Sequence, residues 1–200
     1  MALTGNVAAG KSAVGALFAR WGAVVIDADA IVHELQRPGT PVHDAIRRRF
    51  GPAVAGAQEV LDRAALRALV LADPAARRDL EAIVHPAVAR RRDALLEEAR
   101  RRGAAVVVSD IPLLFEALDP AAFDAVVLVD APVAERRRRL VEDRGFAPAE
   151  ADRLIAAQWP SGEKRARSTF VIDNDGTRAE LERRARAVWE ALRGGPPGPA

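Results

Sequence analysis

One string constrains this chain more than any other: G-N-V-A-A-G-K-S at residues 5–12. It fits G-x-x-x-x-G-K-S, follows a short strand-like run and opens a helical stretch, which is the setting a phosphate-binding loop requires. Gly5 and Gly10 let the backbone bend so that successive amide N–H groups close around phosphate oxygens. The helix that follows turns its positive N-terminal end to the same point. Lys11 then bridges the β- and γ-phosphates of a nucleotide, and Ser12 supplies a hydroxyl ligand to Mg²⁺. Gly5, Asn6, Val7, Ala8, Ala9, Gly10, Lys11, Ser12 and Ala13 are therefore the expected ATP-binding segment, with ATP and Mg²⁺ as its ligands.

The rest of the chain agrees with that loop. Apolar runs at 1–4, 24–27, 104–110, 125–130 and 170–173 end in Thr or Asp and alternate with helical stretches. Near-continuous apolar runs of this kind are central strands of a parallel sheet, buried on both faces. The expected fold is α/β, a P-loop NTPase three-layer fold with a five-stranded parallel sheet. The first run is shorter than the usual strand of about five residues, so a native start a few residues upstream is expected.

Helical spacing covers 12–21, 30–36, 42–50, 63–71, 75–84, 87–102, 133–143, 148–158 and 177–192. Asp62 and Asp73-Pro74 read as helix starts, Gly103 as a helix end, and His85-Pro86 as a break between two helices. Residues 38–103 are too long for a simple crossover and read as a purely helical, substrate-facing insertion. Residues 142–167 read as a helical lid. The whole is expected to be one kinase domain over 1–193, followed by a tail, G-G-P-P-G-P-A at 194–200, that cannot pack.

Composition narrows the function classes. Half of the 200 residues are hydrophobic, enough for a full core, yet no apolar run approaches the roughly 18 residues of a membrane span. There is no cysteine, which removes disulfides, Cys-ligated zinc and thiol catalysis. No basic stretch with an apolar core opens the chain, and a cytoplasmic protein is expected. The pI of about 9.8 suggests nucleic acid, but the formal net charge is only +2. The Arg clusters at 47–49, 90–92, 100–102 and 136–139 mostly lie near acidic residues and read as solvated helix faces. In this Arg-rich chain the only lysines are Lys11 and Lys164, a hint of sites where a guanidinium does not replace an ammonium.

Several further residues carry chemistry. Ligands bind outside the carboxyl ends of parallel strands, so Asp27 or Asp29 could take the proton of an attacking hydroxyl or hold a metal-bound water. Both also suit the cap of the following helix. V-V-V-S-D at 106–110 has the apolar-then-Asp pattern that places Asp110 near Mg²⁺. P-L-L-F-E at 112–116 reads as a substrate wall or, in part, as core. Arg136, Arg139 and Arg144 are candidates to neutralise a transferring phosphoryl group. Lys164 and Asn174 flank the last strand, where a nucleotide base is expected. D-N-D-G at 173–176 spells D-x-x-G, but no N-K-x-D follows it, which rejects a GTPase switch.

In chain order, L-T-G at 3–5, V-I-D-A-D at 25–29, P-G at 38–39, F-G at 50–51 and L-D-R at 61–63 with Leu66 resemble the dephospho-CoA kinase family. The likeness continues through H-P at 85–86, P-L-L-F-E at 112–116, Gln158, and I-D-N at 172–174 with Gly176. It implies ATP-dependent phosphorylation of the ribose 3′-hydroxyl of dephospho-coenzyme A, on a core like that of nucleoside-monophosphate kinases with an acceptor-binding insertion and a lid. Lys11, Asp29 and Arg144 are then the catalytic residues, with Asp29 as base, and Arg139 and Asn174 join the ATP site. Asp29, Arg63, His85, Pro112, Leu113 and Glu116 are the acceptor set, and Ser12 and Asp110 the metal pair. Asn6 and Ala8 stand where the family usually has glycine, Ala13 where it has Thr or Ser, and Asp143-Arg144 reverses the usual order at the lid arginine. The alternative is another P-loop small-molecule or nucleotide kinase. Either way the expected partners are two small molecules, with no nucleic acid or membrane, and the expected state is a monomer.

Overall fold

The computed structural model describes residues 1–194, with side chains at all but Ala57 and Ala117. The expected tail lies, from Gly195 on, outside the described residues. β1 (Ala2–Gly5) leads into α1 (Lys11–Arg20) and β2 (Val24–Asp27). α2 (Ala28–Leu35), α3 (Pro41–Phe50), α4 (Arg63–Ala72) and α5 (Pro74–Arg101) follow. β3 (Val107–Asp110), the short α6 (Leu114–Ala117), β4 (Val126–Asp130) and α7 (Val133–Arg138) come next. α7 runs on into one π-helical turn, Arg139–Asp143. α8 (Pro148–Ala156), α9 (Ser161–Ala166), β5 (Phe170–Asp173) and α10 (Arg178–Arg193) complete the order. The chain divides into two compact units, residues 27–98 and the remainder.

The strands form one sheet in the order β2-β3-β1-β4-β5. β1 pairs in parallel with β3 and β4, and β4 with β5. Alternation along the strands sends side chains to two faces. Leu3, Val108, Val127 and Val129 pack with Val14 and Phe18 of α1 and with Leu181, Ala185 and Trp189 of α10. Ala2 and Val126 pack with Leu114 and Phe115 of α6. Helices thus cover both faces, as the continuous apolar strands require. The chain leaves β1 towards β2 and β3, then crosses back to β4 on the other side. The strand order reverses at β1, so the loop after β1 opens at the switch point where open α/β sheets bind ligands.

Residues 27–98 have their own core, built from Val42, Ile46 and Phe50 of α3, Val54, Leu61, Leu66 of α4, and Ala76, Val84 and Ala87 of α5. Val32 and Leu35 of α2 join it. Thr40 caps α3 by accepting from the His43 amide, and Asp62 caps α4 by accepting from Ala65. The segment is not purely helical: Ala55 and Leu61 form an antiparallel bridge around a turn in which Gln58 and Glu59 are left-handed. Buried His43 ties that turn down, its Nε2 lying 2.7 Å from the Glu59 carbonyl.

Two helix boundaries differ from expectation. α5 passes through His85-Pro86 without a break. Proline inside a helix costs about 3 kcal/mol, but Val84 and Ala87 on either side are buried in the core just described while His85 and Pro86 face solvent. Core packing holds the helix and leaves the missing hydrogen bond on the wet side. The helix expected over 148–158 stops at Ala156, and a separate helix, α9, begins at Ser161, beyond the expected span. Pro160 ends the run because its ring disfavours helical geometry at the residue before it.

Candidate active site

β1 delivers Gly5 against β4, with Gly5 in register with Val129. A β-carbon there would stand 2.6 Å from the Val129 carbonyl oxygen, so the close approach admits only glycine. Gly10, at φ 96°, is the left-handed N-cap of α1, and a β-carbon there would strike the Asn174 side chain. No side chain caps α1 and no acidic residue stands in its first turn. The orphan amides and positive end of the helix therefore remain available to an anion. Ser12 and Ala13 are exposed at this end. Lys11, next to them, pairs with Asp110 at the end of β3.

The loop is held from behind by two residues far away in sequence. Arg139 Nη1 donates to the carbonyls of Ala8 and Ala9 at 3.1 and 3.3 Å, and its Nη2 to the Asn174 carbonyl at 2.9 Å. The Asn174 side-chain amide donates to the Ala9 carbonyl at 2.8 Å. Both lone pairs of that carbonyl are thus used. Arg139 is itself oriented by Glu135, which accepts from its Nε at 2.9 Å. Hydrogen bonds from Arg138, and behind them those from Arg139, hold the Glu135 carboxyl down to about 2. Arg139 and Asn174, both expected at the ATP site, thus hold the phosphate loop.

A second set grips the loop's leading end. The Val7 amide donates to Gln158 Oε1 at 2.7 Å. Asn6 Nδ2 donates to Ser161 Oγ at 3.1 Å and to the Trp159 carbonyl at 3.4 Å. Ser161 Oγ in turn donates to Asp130 Oδ1 at 2.8 Å, and Arg165 joins Asp130 to Asp173. Of these partners, Gln158 and Asp173 fall in the strings that carry the family likeness, neither with an expected role. The one local signal for Asp130 was its place as the last residue of an apolar run.

The other expected residues are distributed as follows. Of the lid arginines, Arg136 is buried, donates to the Ala131 carbonyl at 3.2 Å and is pushed down in pKa by burial against the pull of Asp130. Arg144 is exposed. In P-L-L-F-E, Leu113 is 46% exposed while Leu114 and Phe115 are core, so the string divides between wall and packing. The Pro112 carbonyl accepts from Thr4 Oγ1 at 3.4 Å. Glu116 is turned inward onto Lys164, which is fully buried. In the second unit, Asp27 accepts from the Ala30 amide at 3.0 Å and caps α2. Asp29 lies exposed in the first turn of that helix, Arg63 is exposed at the start of α4, and His85 is exposed on α5.

A braced phosphate loop at the switch point, with a lysine and two oxygen donors, is equipped to bind a nucleoside triphosphate and stabilise its terminal phosphoryl group. Comparison with known proteins agrees. The family model described as dephospho-CoA kinase matches residues 1–180. A dephospho-CoA kinase from Symbiobacterium thermophilum is 46% identical over 196 residues, spanning 98% of this chain and 82% of its own length. Another, from Leifsonia xyli subsp. xyli, is 45% identical over 193 residues, spanning 96% of this chain and 98% of its own. Among solved structures, TT1252 from Thermus thermophilus superposes with a TM-score of 0.81 at 40% identity, over 96% of each chain. Dephospho-CoA kinase from Campylobacter jejuni shares the fold, with a TM-score of 0.72 at 21% identity over 96% of each chain.

Proposed function

The chain belongs to the dephospho-CoA kinase family, and from that premise we propose that it transfers the γ-phosphoryl group of ATP to the ribose 3′-hydroxyl of dephospho-coenzyme A. The products are coenzyme A and ADP, the last step of coenzyme A biosynthesis. The observation that carries the reading is the phosphate loop at 5–12, pre-shaped by Arg139 and Asn174 over the uncapped end of α1.

In the transfer, a bond forms between the 3′-oxygen and the γ-phosphorus as the bond to the β,γ-bridging oxygen breaks, and the electron pair leaves with ADP. Lys11 exchanges its contact with Asp110 for the β- and γ-oxygens, where its point charge offsets the negative charge that builds up. The hydroxyl proton passes to Asp29. Its place after the carboxyl end of β2 supports this, as does the use of Asp27 as the helix cap. For Mg²⁺, the Ser12 hydroxyl and Asp110 carboxylate are hard oxygen donors. They suit an ion that takes one or two protein ligands and keeps water and phosphate oxygens for the rest. Bound there, Mg²⁺ would supply positive charge beside the transferring phosphoryl oxygens.

Residues 142–167 act in this reading as a lid that brings Arg144 to the phosphoryl group, and the helical insertion takes the acceptor with Arg63 and His85. Pro112 and Leu113 form an apolar wall, while Glu116 supports that wall through Lys164. The protein works as a cytoplasmic monomer on two small molecules, and sedimentation analysis tests the monomer.

The deciding experiment incubates the protein with ATP·Mg²⁺ and, in turn, dephospho-CoA, AMP, shikimate and gluconate, and measures product masses. Dephospho-CoA is expected to react far faster than the others. Comparable turnover of another acceptor would transfer the assignment to a different small-molecule kinase.

A further inference from the structure

We propose that Asn6 is a positioning residue that, with Gln158, latches the phosphate loop to residues 158–161, so that nucleotide affinity depends on that segment. The inference rests on the nucleotide-binding reading above and on three features of the structure. Asn6 is 4% exposed, although it occupies a loop position that phosphate binding by backbone amides leaves chemically open. Its side chain turns to a distant segment: Nδ2 reaches Ser161 Oγ and the Trp159 carbonyl. The neighbouring amide of Val7 is given to Gln158 at 2.7 Å. Two consecutive loop residues are thus tied to one short segment, the turn after α8 and the first residue of α9, more than 150 positions away.

The direction of the chain of hydrogen bonds is set by Asp130. An ionised carboxylate only accepts, so the single Ser161 proton goes to Asp130 Oδ1 and Ser161 Oγ must accept from Asn6. This settles which end of the Asn6 amide faces Ser161, a choice that atom positions alone leave to the network. Asp130 is in turn held by Arg165 at 3.1 Å and by the Ala131 amide at 2.9 Å. The latch therefore ends on the rigid carboxyl end of β4, not on a mobile side chain. On the other side of the loop Val7 and Ala8 pack with Leu140, Ala151, Leu154 and Ile155. The leading half of the loop is clamped by α8 and its following segment, and the trailing half by Arg139 and Asn174. A glycine at position 6 offers no such hold, so the latch belongs to this chain's own residue choice.

Affinity for ADP, measured by titration calorimetry, tests the latch without reference to the acceptor. Asn6→Ala removes the amide and Ser161→Ala removes the bridging hydroxyl. Each is expected to weaken ADP binding about 3-fold to 10-fold, the range for one lost intramolecular hydrogen bond. Because both break the same contact, the double variant should bind within about 2-fold of the weaker single one. Ser161→Thr keeps the hydroxyl and should restore affinity, which a purely structural loss would not predict. Single variants within about 2-fold of the parent, multiplicative effects in the double variant, or a Ser161→Thr as weak as Ser161→Ala would each overturn the proposal. Should a variant fold poorly, hydrogen exchange in the parent decides: ADP is expected to slow exchange at 158–166, and unchanged exchange there refutes the coupling. If the parent itself binds no ADP, the nucleotide-binding reading fails instead.

Discussion

Lys164 donates from its ammonium to Glu116 Oε1 at 2.6 Å, and the lysine is completely buried. Glu116 also accepts from the Trp159 amide at 3.2 Å, so one carboxylate joins α9, the 158–161 segment and the P-L-L-F-E turn. Removing one partner of a buried pair leaves an uncompensated charge and costs about 3–5 kcal/mol. Lys164→Met should lose stability of that order in urea unfolding, and adding Glu116→Gln should recover a large part. A loss under about 1 kcal/mol for the single variant would show that water reaches the pair.

Lys11→Ala should lower kcat by at least about 100-fold, as for loss of one preorganised charge contact, with circular dichroism unchanged. The side chain lies at the loop, outside the apolar clusters of the described residues. Lys11→Arg should also be severely impaired, because a planar fork does not fit where a compact ammonium meets Asp110. Retention of a tenth of parental kcat by Lys11→Ala would contradict its role.

Asp29→Asn keeps the shape but removes the basic oxygen. General-base assistance is worth about 10²–10⁴ in rate, so kcat should fall by that order while ATP affinity stays near parental. Asp27→Asn should be milder, since asparagine caps a helix about as well as aspartate. If Asp29→Asn keeps kcat and loses only acceptor affinity, Asp29 is a binding residue.

Arg139 and Arg144 should separate kinetically. Arg139 holds the loop carbonyls before any phosphate arrives, so Arg139→Ala should raise the ATP Kd as well as lower kcat. Arg144 is exposed on the proposed lid, so Arg144→Ala should lower kcat far more than it weakens ATP binding. A silent Arg144→Ala beside a kcat-selective Arg139→Ala would reverse the two roles.

Glu135 provides a pH test. Its folded-state value, about 2, lies below the ordinary 4.5. A depressed carboxyl contributes stability that is fully present above its unfolded value and is lost as pH falls towards the folded one. The stability that Glu135 contributes should therefore be constant from pH 8 down to about 5 and be lost between about 4.5 and 2, while in the folded protein its contacts with Arg138 and Arg139 persist until pH approaches 2. Carbon-detected NMR of the Glu135 carboxyl should show no titration above about pH 4. A midpoint near 4.5 would mean that Arg138 and Arg139 do not hold it in solution.

The phosphate loop, the five strands and most helix starts were legible in the sequence because each rests on local chemistry: glycines where the chain must bend or approach another strand, apolar runs ending in Asp, and Asp or Thr caps. The acceptor strings could be read as a family likeness for the same reason, as order along the chain. What packing decided was every question of partnership. Pro86 lies in an unbroken helix because Val84 and Ala87 beside it are held in a core that no neighbouring residue reveals. Ala8 adopts a left-handed conformation, at φ 58°, that ordinarily calls for glycine, and its methyl group is buried with Leu140 and Ala151. Arg139 and Lys164 have the composition of exposed site residues, yet one shapes the loop and the other is buried on Glu116. A long side chain can reach any of many carbonyls and carboxylates, and the choice among them lies with partners such as Ala8, 131 positions from Arg139, and Glu116, 48 from Lys164. Local sequence determines which segments bend, cap and bury; only the folded sheet brings the distant carbonyl or carboxylate within reach, and that proximity sets what each charged group does.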